Sequence, residues 1–298
     1  MPPPDGFHET DLETVNWSVP PTARFESLID IDICDPGKTV YRNKSLGTDA
    51  FKMVRIQRVI ELGDASDEGN SEAHCWRFEG LILDHTVKVH GGQIELDQCA
   101  ARKIEVHSID TANPVFTASN CLFKNVQVAR GLSRLEYCTV LDGMLSEALQ
   151  ASDCIFSGEV RKDHPGYGNE PPEKGCVRFS RVPTALFGGI ARRHTCTDAK
   201  PLFFHDDFDE LYRGSGCAVL HPATPEAIRS GAEDGGEMGA YHHRLYCLGQ
   251  EAVIDKLKDY LPLGIEPVLI PDVRLSRFQQ AAFINVNNHE SSDSGGIV

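Results

Sequence analysis

Ten cysteines stand at positions 34, 75, 99, 121, 138, 154, 176, 196, 217 and 247, and their rhythm is the tightest constraint on the fold. From Cys75 to Cys217 the successive intervals are 24, 22, 17, 16, 22, 20 and 21 residues. No CxxC pair occurs, so the close ligand spacing of a structural zinc site is missing. A period near twenty residues is instead the length of one coil of a solenoid, whose short strands stack on the coil before. The local sequences agree. Leu96-Asp97-Gln98-Cys99-Ala100, Ala118-Ser119-Asn120-Cys121-Leu122-Phe123, Leu135-Glu136-Tyr137-Cys138-Thr139-Val140 and Ala151-Ser152-Asp153-Cys154-Ile155-Phe156 align on the cysteine, and in three of the four a polar Gln, Asn or Asp precedes it. Gln93-Ile94-Glu95-Leu96, Lys103-Ile104-Glu105-Val106 and Val126-Gln127-Val128 alternate apolar with polar, as half-buried strands do.

The expected fold is mainly β: a right-handed parallel β-helix of about 20-residue coils with a small helical C-terminal cap. Cys99, Cys121, Cys138, Cys154, Cys176, Cys196 and Cys217 are expected to stack as an internal ladder. Cysteine behaves as a small hydrophobe, so reduced, buried thiols suit a narrow interior. Disulfides, a metal or a reactive thiol are the alternatives. The expected divisions are an N-terminal arm with capping strands (1–72), the parallel β-helix (73–222), an α/β cap (223–272) and a partly disordered tail (273–298). Within the first, the Pro-rich residues 1–24 form an arm, Leu28–Ile33 and Phe51–Ile56 read as strands, and 63–70 is an acidic loop. The Pro/Gly-rich residues 163–172 would project from one coil. Thr224-Pro225-Glu226 reads as a helix start, with Thr as cap. Residues 250–261 place Val253, Ile254, Leu257, Tyr260 and Leu261 on one helical face, and Ile265–Ile270 follows as a strand. Such a cap would cover the solenoid's open end.

Charge narrows the function. Lys plus Arg is 29 and Asp plus Glu is 44, so the net charge is 29 − 44 = −15. A field of that sign repels phosphate backbones and anionic lipid, which argues against nucleic-acid partners. No apolar run reaches the roughly 18 residues of a membrane span. The start Met1-Pro2-Pro3-Pro4-Asp5 lacks the basic and apolar regions of a signal peptide, so a cytoplasmic protein is expected.

A sugar-cleaving enzyme on this scaffold needs two carboxylates about 5–9 Å apart, hence acids at matching positions of adjacent coils. Six residues past each cysteine stand Glu105, Gln127, Met144 and Val160; one residue before stand Gln98, Asn120, Tyr137 and Asp153. Neither row is an acid ladder, and no catalytic residue, metal or cofactor is assigned. A metal-dependent hydrolase would have to draw on His205, Asp207, His242 and His243, yet no HExxH, nucleophile elbow, Walker loop or GxGxxG occurs. Asp234 and Glu237 lie among Gly231, Gly235, Gly236 and Gly239, beside His242 and His243. This glycine-dense stretch reads as a clamp fastening the cap to the coils, or as a ligand site.

Four stretches carry a resemblance: residues 151–158, residues 175–183, residues 220–229 with 231–243, where Gly231-Ala232-Glu233-Asp234-Gly235-Gly236-Glu237-Met238-Gly239-Ala240 stands, and the helix ending in Tyr260-Leu261-Pro262. On them, roughly over residues 75 to 265, the chain resembles uncharacterised bacterial β-helix proteins encoded near phage-tail-like contractile particle genes. The resemblance implies a particle-associated role, with other protein subunits as partners. The functional expectation is therefore a non-catalytic structural or adaptor protein, incorporated into such a particle, with homo-oligomers as a further form of assembly. The alternative is a carbohydrate-active β-helix enzyme (glycoside hydrolase or polysaccharide lyase) or a glycan-binding protein.

Overall fold

A computed structural model of the chain describes residues 12–15, 22–35, 37–48, 52–64, 74–108, 113–162, 170–172, 174–183, 193–213, 217–244, 246–262, 264–265 and 267. The strands form a parallel β-helix of about six turns with three faces. A wide face stacks Lys38–Asn43, Cys75–Glu79, Gln93–Asp97, Pro114–Ser119, 132–136, 148–152 and Lys174–Arg178 in register. A narrow face stacks Met53–Ile56, 81–83, 100–101, 122–123, 139–140 and Ile155–Phe156. The third face runs from Ile60–Gly63 through 86–90, 103–106, 125–128 and 143–145 to Glu159–Arg161.

Alternation decides which side chains enter. On the third face Ile60, Val87, Ile104, Val126, Met144 and Val160 lie directly over one another, all buried. Phe78, Leu96, Ala118, Leu135, Ala151 and Val177 do the same on the wide face. Each coil is therefore a period-2 strand set wrapped around one continuous core.

The turn from the wide to the narrow face repeats the same backbone. Gln98, Asn120, Tyr137, Asp153, Phe179 and Thr195 all sit at positive φ, between 47° and 58°, and Gly80 does so at 66°. The next residue in each case is a rung: Leu81, Cys99, Cys121, Cys138, Cys154, Ser180 and Cys196. This corrects the expected ladder at two places. Ser180 holds the rung after Cys154, because the coil carrying the 163–172 insertion is 180 − 154 = 26 residues long. Cys176 lies four residues earlier, on the wide face opposite Gln150. Cys217 lies beyond the last rung, bridged to His205 in a separate hydrophobic cluster.

The solenoid also starts earlier than residue 73, since Lys38–Asn43, Met53–Ile56 and Ile60–Gly63 already make a coil. Leu12–Val15, within the stretch read as an irregular arm, pairs parallel with Met53–Ile56. The helix Ala23–Leu28, with the Thr22 hydroxyl accepting the Phe25 N–H at 3.3 Å, drives Phe25 and Ile29 into the core at this end. Ile29–Asp35 then closes the wide face as an antiparallel edge strand.

Residues 198–213 and 217–244 lie along the flank of the solenoid. The outward residues of the narrow face, Ile82, Ala100, Leu122 and Ile155, are apolar and buried. Phe203, Phe204, Phe208, Leu211, Met238 and Tyr241 cover them. Two apolar layers, one inside the coil and one outside, thus share the narrow face. Thr224 does not cap the short helix Glu226–Arg229: its hydroxyl donates to the Leu202 carbonyl at 2.7 Å and accepts the Leu202 N–H at 3.2 Å, pinning the cover to itself. The C-terminal helix spans Tyr246–Lys258. Residues 1–11, 65–70, 163–169, most of 265–270 and the 273–298 tail, where the arm, acidic loop, projecting loop, last strand and disorder were expected, lie outside the described residues.

Candidate functional site

The rung side chains do more than fill space. At the left-handed corner the rung amide leaves the strand ladder, and the next rung's side chain supplies its acceptor. The Cys99 N–H meets Cys121 Sγ at 3.4 Å, the Cys138 N–H meets Cys154 Sγ at 3.4 Å, and the Cys154 N–H meets Ser180 Oγ at 3.0 Å. Each of these groups donates back to the carbonyl two residues earlier: Cys121 to Ser119, Cys154 to Ser152, Ser180 to Arg178, at 3.0, 3.1 and 2.6 Å. Cysteine and serine are interchangeable here because each is small and carries one donor and one acceptor. Cys99, Cys121, Cys138 and Cys154 are reduced and buried. Burial pushes the Cys99 and Cys138 thiols well above their ordinary pKa, so they are poor nucleophiles.

Asp234, Glu237 and His242 gather where the flank cover meets the corner of two coils. The Tyr137 ring, held outward by its left-handed backbone, stacks on His242 at 4.1 Å between centroids. One His242 ring nitrogen meets the Glu237 carbonyl oxygen at 2.7 Å and the other meets Asp234 Oδ2 at 3.0 Å. Asp153 accepts the Glu233 N–H on its carboxylate at 2.7 Å and the Gly239 N–H on its carbonyl at 2.8 Å. Thr139 Oγ1 accepts the Ala240 N–H at 3.0 Å. Gly239 passes so close that a Cβ would stand 2.5 Å from Thr139 Oγ1. Gly231, Gly236 and Gly239 therefore serve close approach, whereas Gly235 faces open space and supplies a positive φ of 82°, and the arrangement joins the cover to the coils. His243 is exposed on the same turn, while Glu237 is buried.

These residues do not converge with His205. That ring is buried in the cover beside Cys217, and Asp207 accepts the Asp209 N–H at the start of the following 3₁₀ turn. Among the described residues no three His, Cys, Asp or Glu side chains converge as ligands for a metal ion. A second fastening lies farther along the flank. Asp84 is buried between Arg55, 2.8 Å from its Nε, and Arg102, whose Nη2 is 2.8 Å away. Arg102 also pairs with Asp209 and lies over the Phe208 ring of the cover.

Carboxylates do stand in register on adjacent coils, at a row that counting from the cysteines had missed. Glu79, Asp97 and Glu136 lie two residues before the rungs Leu81, Cys99 and Cys138, with Ser119 between the last two. The first coil of the row has no cysteine at its rung, so only the corner Gly80 marks it. The chemistry here is ion pairing. Burial alone pushes the Glu79 carboxyl up, but hydrogen bonds from Arg42 and Arg77 more than reverse it and hold it below the usual range. Glu95 is lowered likewise: burial is outweighed by Lys38 at 2.8 Å and by Arg77. Asp97 goes the other way, raised by burial, partly offset by Arg77, and raised again by the Glu79 charge. With two arginines and a lysine against three carboxylates, the cluster is neutralised from within.

Towards the C-terminal coils the same face opens into a shallow groove of about 340 Å³, lined by Arg134, Glu136, Gln150, Ser152, Cys176 and Arg178. Arg134 reaches Gln150 Oε1 at 3.3 Å, and Arg178 donates to Ser152 Oγ at 3.1 Å while pairing with Glu233 of the cover at 3.5 Å. The groove offers planar donors and acceptors around a single carboxylate. Comparison of the chain with protein-family models, with curated proteins and with solved structures yields no match.

Proposed function

We propose that the protein is a non-catalytic scaffold or adaptor, whose two ends bind other subunits of an assembly. The observation that supports this reading is where its uncovered apolar surface lies. Among the described residues the large exposed hydrophobics are Ile31 (39%), Ile33 (71%), Val59 (47%), Val253 (49%), Leu257 (42%), Tyr260 (77%) and Ile265 (56%). All but Val59 fall in two stretches of chain, the N-terminal edge strand and the C-terminal helix with the residues after it. Val253 and Leu257 share one helical face, and Tyr260 follows in the turn after the helix with its N–H on the Leu257 carbonyl at 3.0 Å. Grouped apolar exposure marks contact surfaces, whereas singly scattered residues do not. The resemblance to β-helix proteins encoded beside phage-tail-like contractile particle genes favours such a particle as the assembly.

A photo-crosslinking residue placed at Ile33, at Leu257 or at the half-buried Gln127 of the third face tests the reading in cells expressing the native gene neighbourhood. Crosslinks to defined partners at Ile33 and Leu257 but not at Gln127 are expected. Equal capture at all three positions, or none, overturns it.

The groove favours one second reading, a glycan-binding protein. Hydrolysis is the weaker form of it, because retaining and inverting glycosidases both need a carboxylate pair and the groove holds Glu136 alone. A glycan array probed with the native protein and with Arg134→Ala separates the two readings.

A further inference from the structure

Ile29–Asp35 is unlike every other strand of the wide face. It alone runs antiparallel, and among the described residues it pairs on one edge only, with Lys38–Asn43. A terminal strand presents free N–H and C=O groups to any chain that can lie beside it. The sequence Ile29-Asp30-Ile31-Asp32-Ile33 gives that edge two rows. Ile29 is sealed under the helix Ala23–Leu28, and exposure rises from Ile29 through Ile31 to Ile33 as the strand leaves that cover. On the opposite side Asp30 and Asp32 are exposed, Asp30 3.3 Å from Lys44 across the hairpin, and the Arg42 guanidinium nearby is committed to Glu79.

Charge selects the occupant. A second copy of this chain, paired antiparallel edge to edge, would set Asp30 and Asp32 against the same residues of its partner. Like charges directly opposed destabilise a sheet, and each chain already carries −15. A strand with cations on that row and apolar side chains on the other satisfies both rows at once. Carboxylates also blunt edges against aggregation, but a blunted edge has no need to leave Ile31 and Ile33 uncovered.

We propose that the free edge of Ile29–Asp35 takes up an extended basic segment of a partner protein, apolar residues alternating with Lys or Arg, as an added strand. This deepens the adaptor reading and rests on it. Main-chain bonds would supply affinity, and the two side-chain rows the selectivity.

The test uses the full-length protein and a fluorescent, end-blocked peptide of four alternating Lys-Val pairs, read by anisotropy. Binding is expected to weaken at least tenfold in Asp30→Lys/Asp32→Lys and in Ile33→Lys, whose changes fall on exposed side chains that leave the core intact. The same loss is expected when alternate peptide amides are N-methylated, when Lys is replaced by Glu, or when the composition is rearranged into a Lys block beside a Val block. No binding, or equal binding by the rearranged or N-methylated peptides, overturns the proposal. If the peptide fails while crosslinking at Leu257 persists, the edge is refuted and the adaptor reading stands; if both fail, both are lost.

Discussion

The two hydrophobic clusters of this protein share the narrow face but are built by opposite kinds of chain. Inside, each residue's neighbour is its counterpart one coil away, and the set from Ile60 to Val160 repeats a single relationship. Outside, residues 203–213 and 217–241 cover the row from Ile82 to Ile155, with Met53 beside it, and have no repeat of their own. A repeating core shares its stability among nearest-neighbour coils, whereas a cover is one long-range contact, free to open as a unit.

Two truncations put the largest strain on that difference. Phe123→Ala, inside, and Phe208→Ala, outside, each remove a fully buried ring, a change worth about 3–5 kcal/mol in a core. Phe123→Ala is expected to lower the midpoint of the whole denaturation curve. Phe208→Ala is expected to abolish hydrogen-exchange protection across 203–213 and 217–241 while the coil amides stay protected. A single shared transition in both variants would mean that the cover and the coils are one cooperative unit.

A smaller effect separates filling from hydrogen bonding at the rungs. Cys154→Ala leaves the Cys138 N–H without its acceptor, and a buried amide so stranded costs about 1–3 kcal/mol. Cys154→Ser keeps donor and acceptor and should retain most of that stability in urea titrations, as Ser180 does one rung later. Equal loss in the two variants would reduce the thiols to space-fillers.

The smallest change is a gain. Thr195 is β-branched and exposed at φ 49°, a conformation that costs an L-residue about 1–2 kcal/mol and glycine almost nothing. After the extra unfolded-state entropy of glycine, Thr195→Gly is expected to stabilise the last coil by roughly 0.5–1 kcal/mol, read as slower exchange of the amides around Cys196.

The same contrast explains what could be read from the chain beforehand. The alternation around Cys99, Cys121, Cys138 and Cys154 exposed the solenoid because each of these residues answers to a local, repeated demand. Ser180 escaped notice because serine meets that demand without bearing sulfur, and Cys176 misled because an insertion happened to restore the spacing. Glu79 escaped because its coil has leucine at the rung. In the stretch from Asp234 to His242 the close backbone approach was legible from its glycines, and Gly236 and Gly239 make it; whether the stretch is a clamp or a ligand site stayed open. Its partners, Tyr137, Thr139 and Asp153, were not legible: nothing local says which coil a returning segment will reach.

The handover of hydrogen bonds between rungs gives the stack a direction. Cys99 relies on Cys121, Cys138 on Cys154 and Cys154 on Ser180, always on a residue that leaves the ribosome later. A nascent coil therefore keeps one corner amide open until its successor arrives to close it. Shortening the chain from its C-terminal side does not remove that vacancy but moves it back by one storey, to whichever turn has become the last.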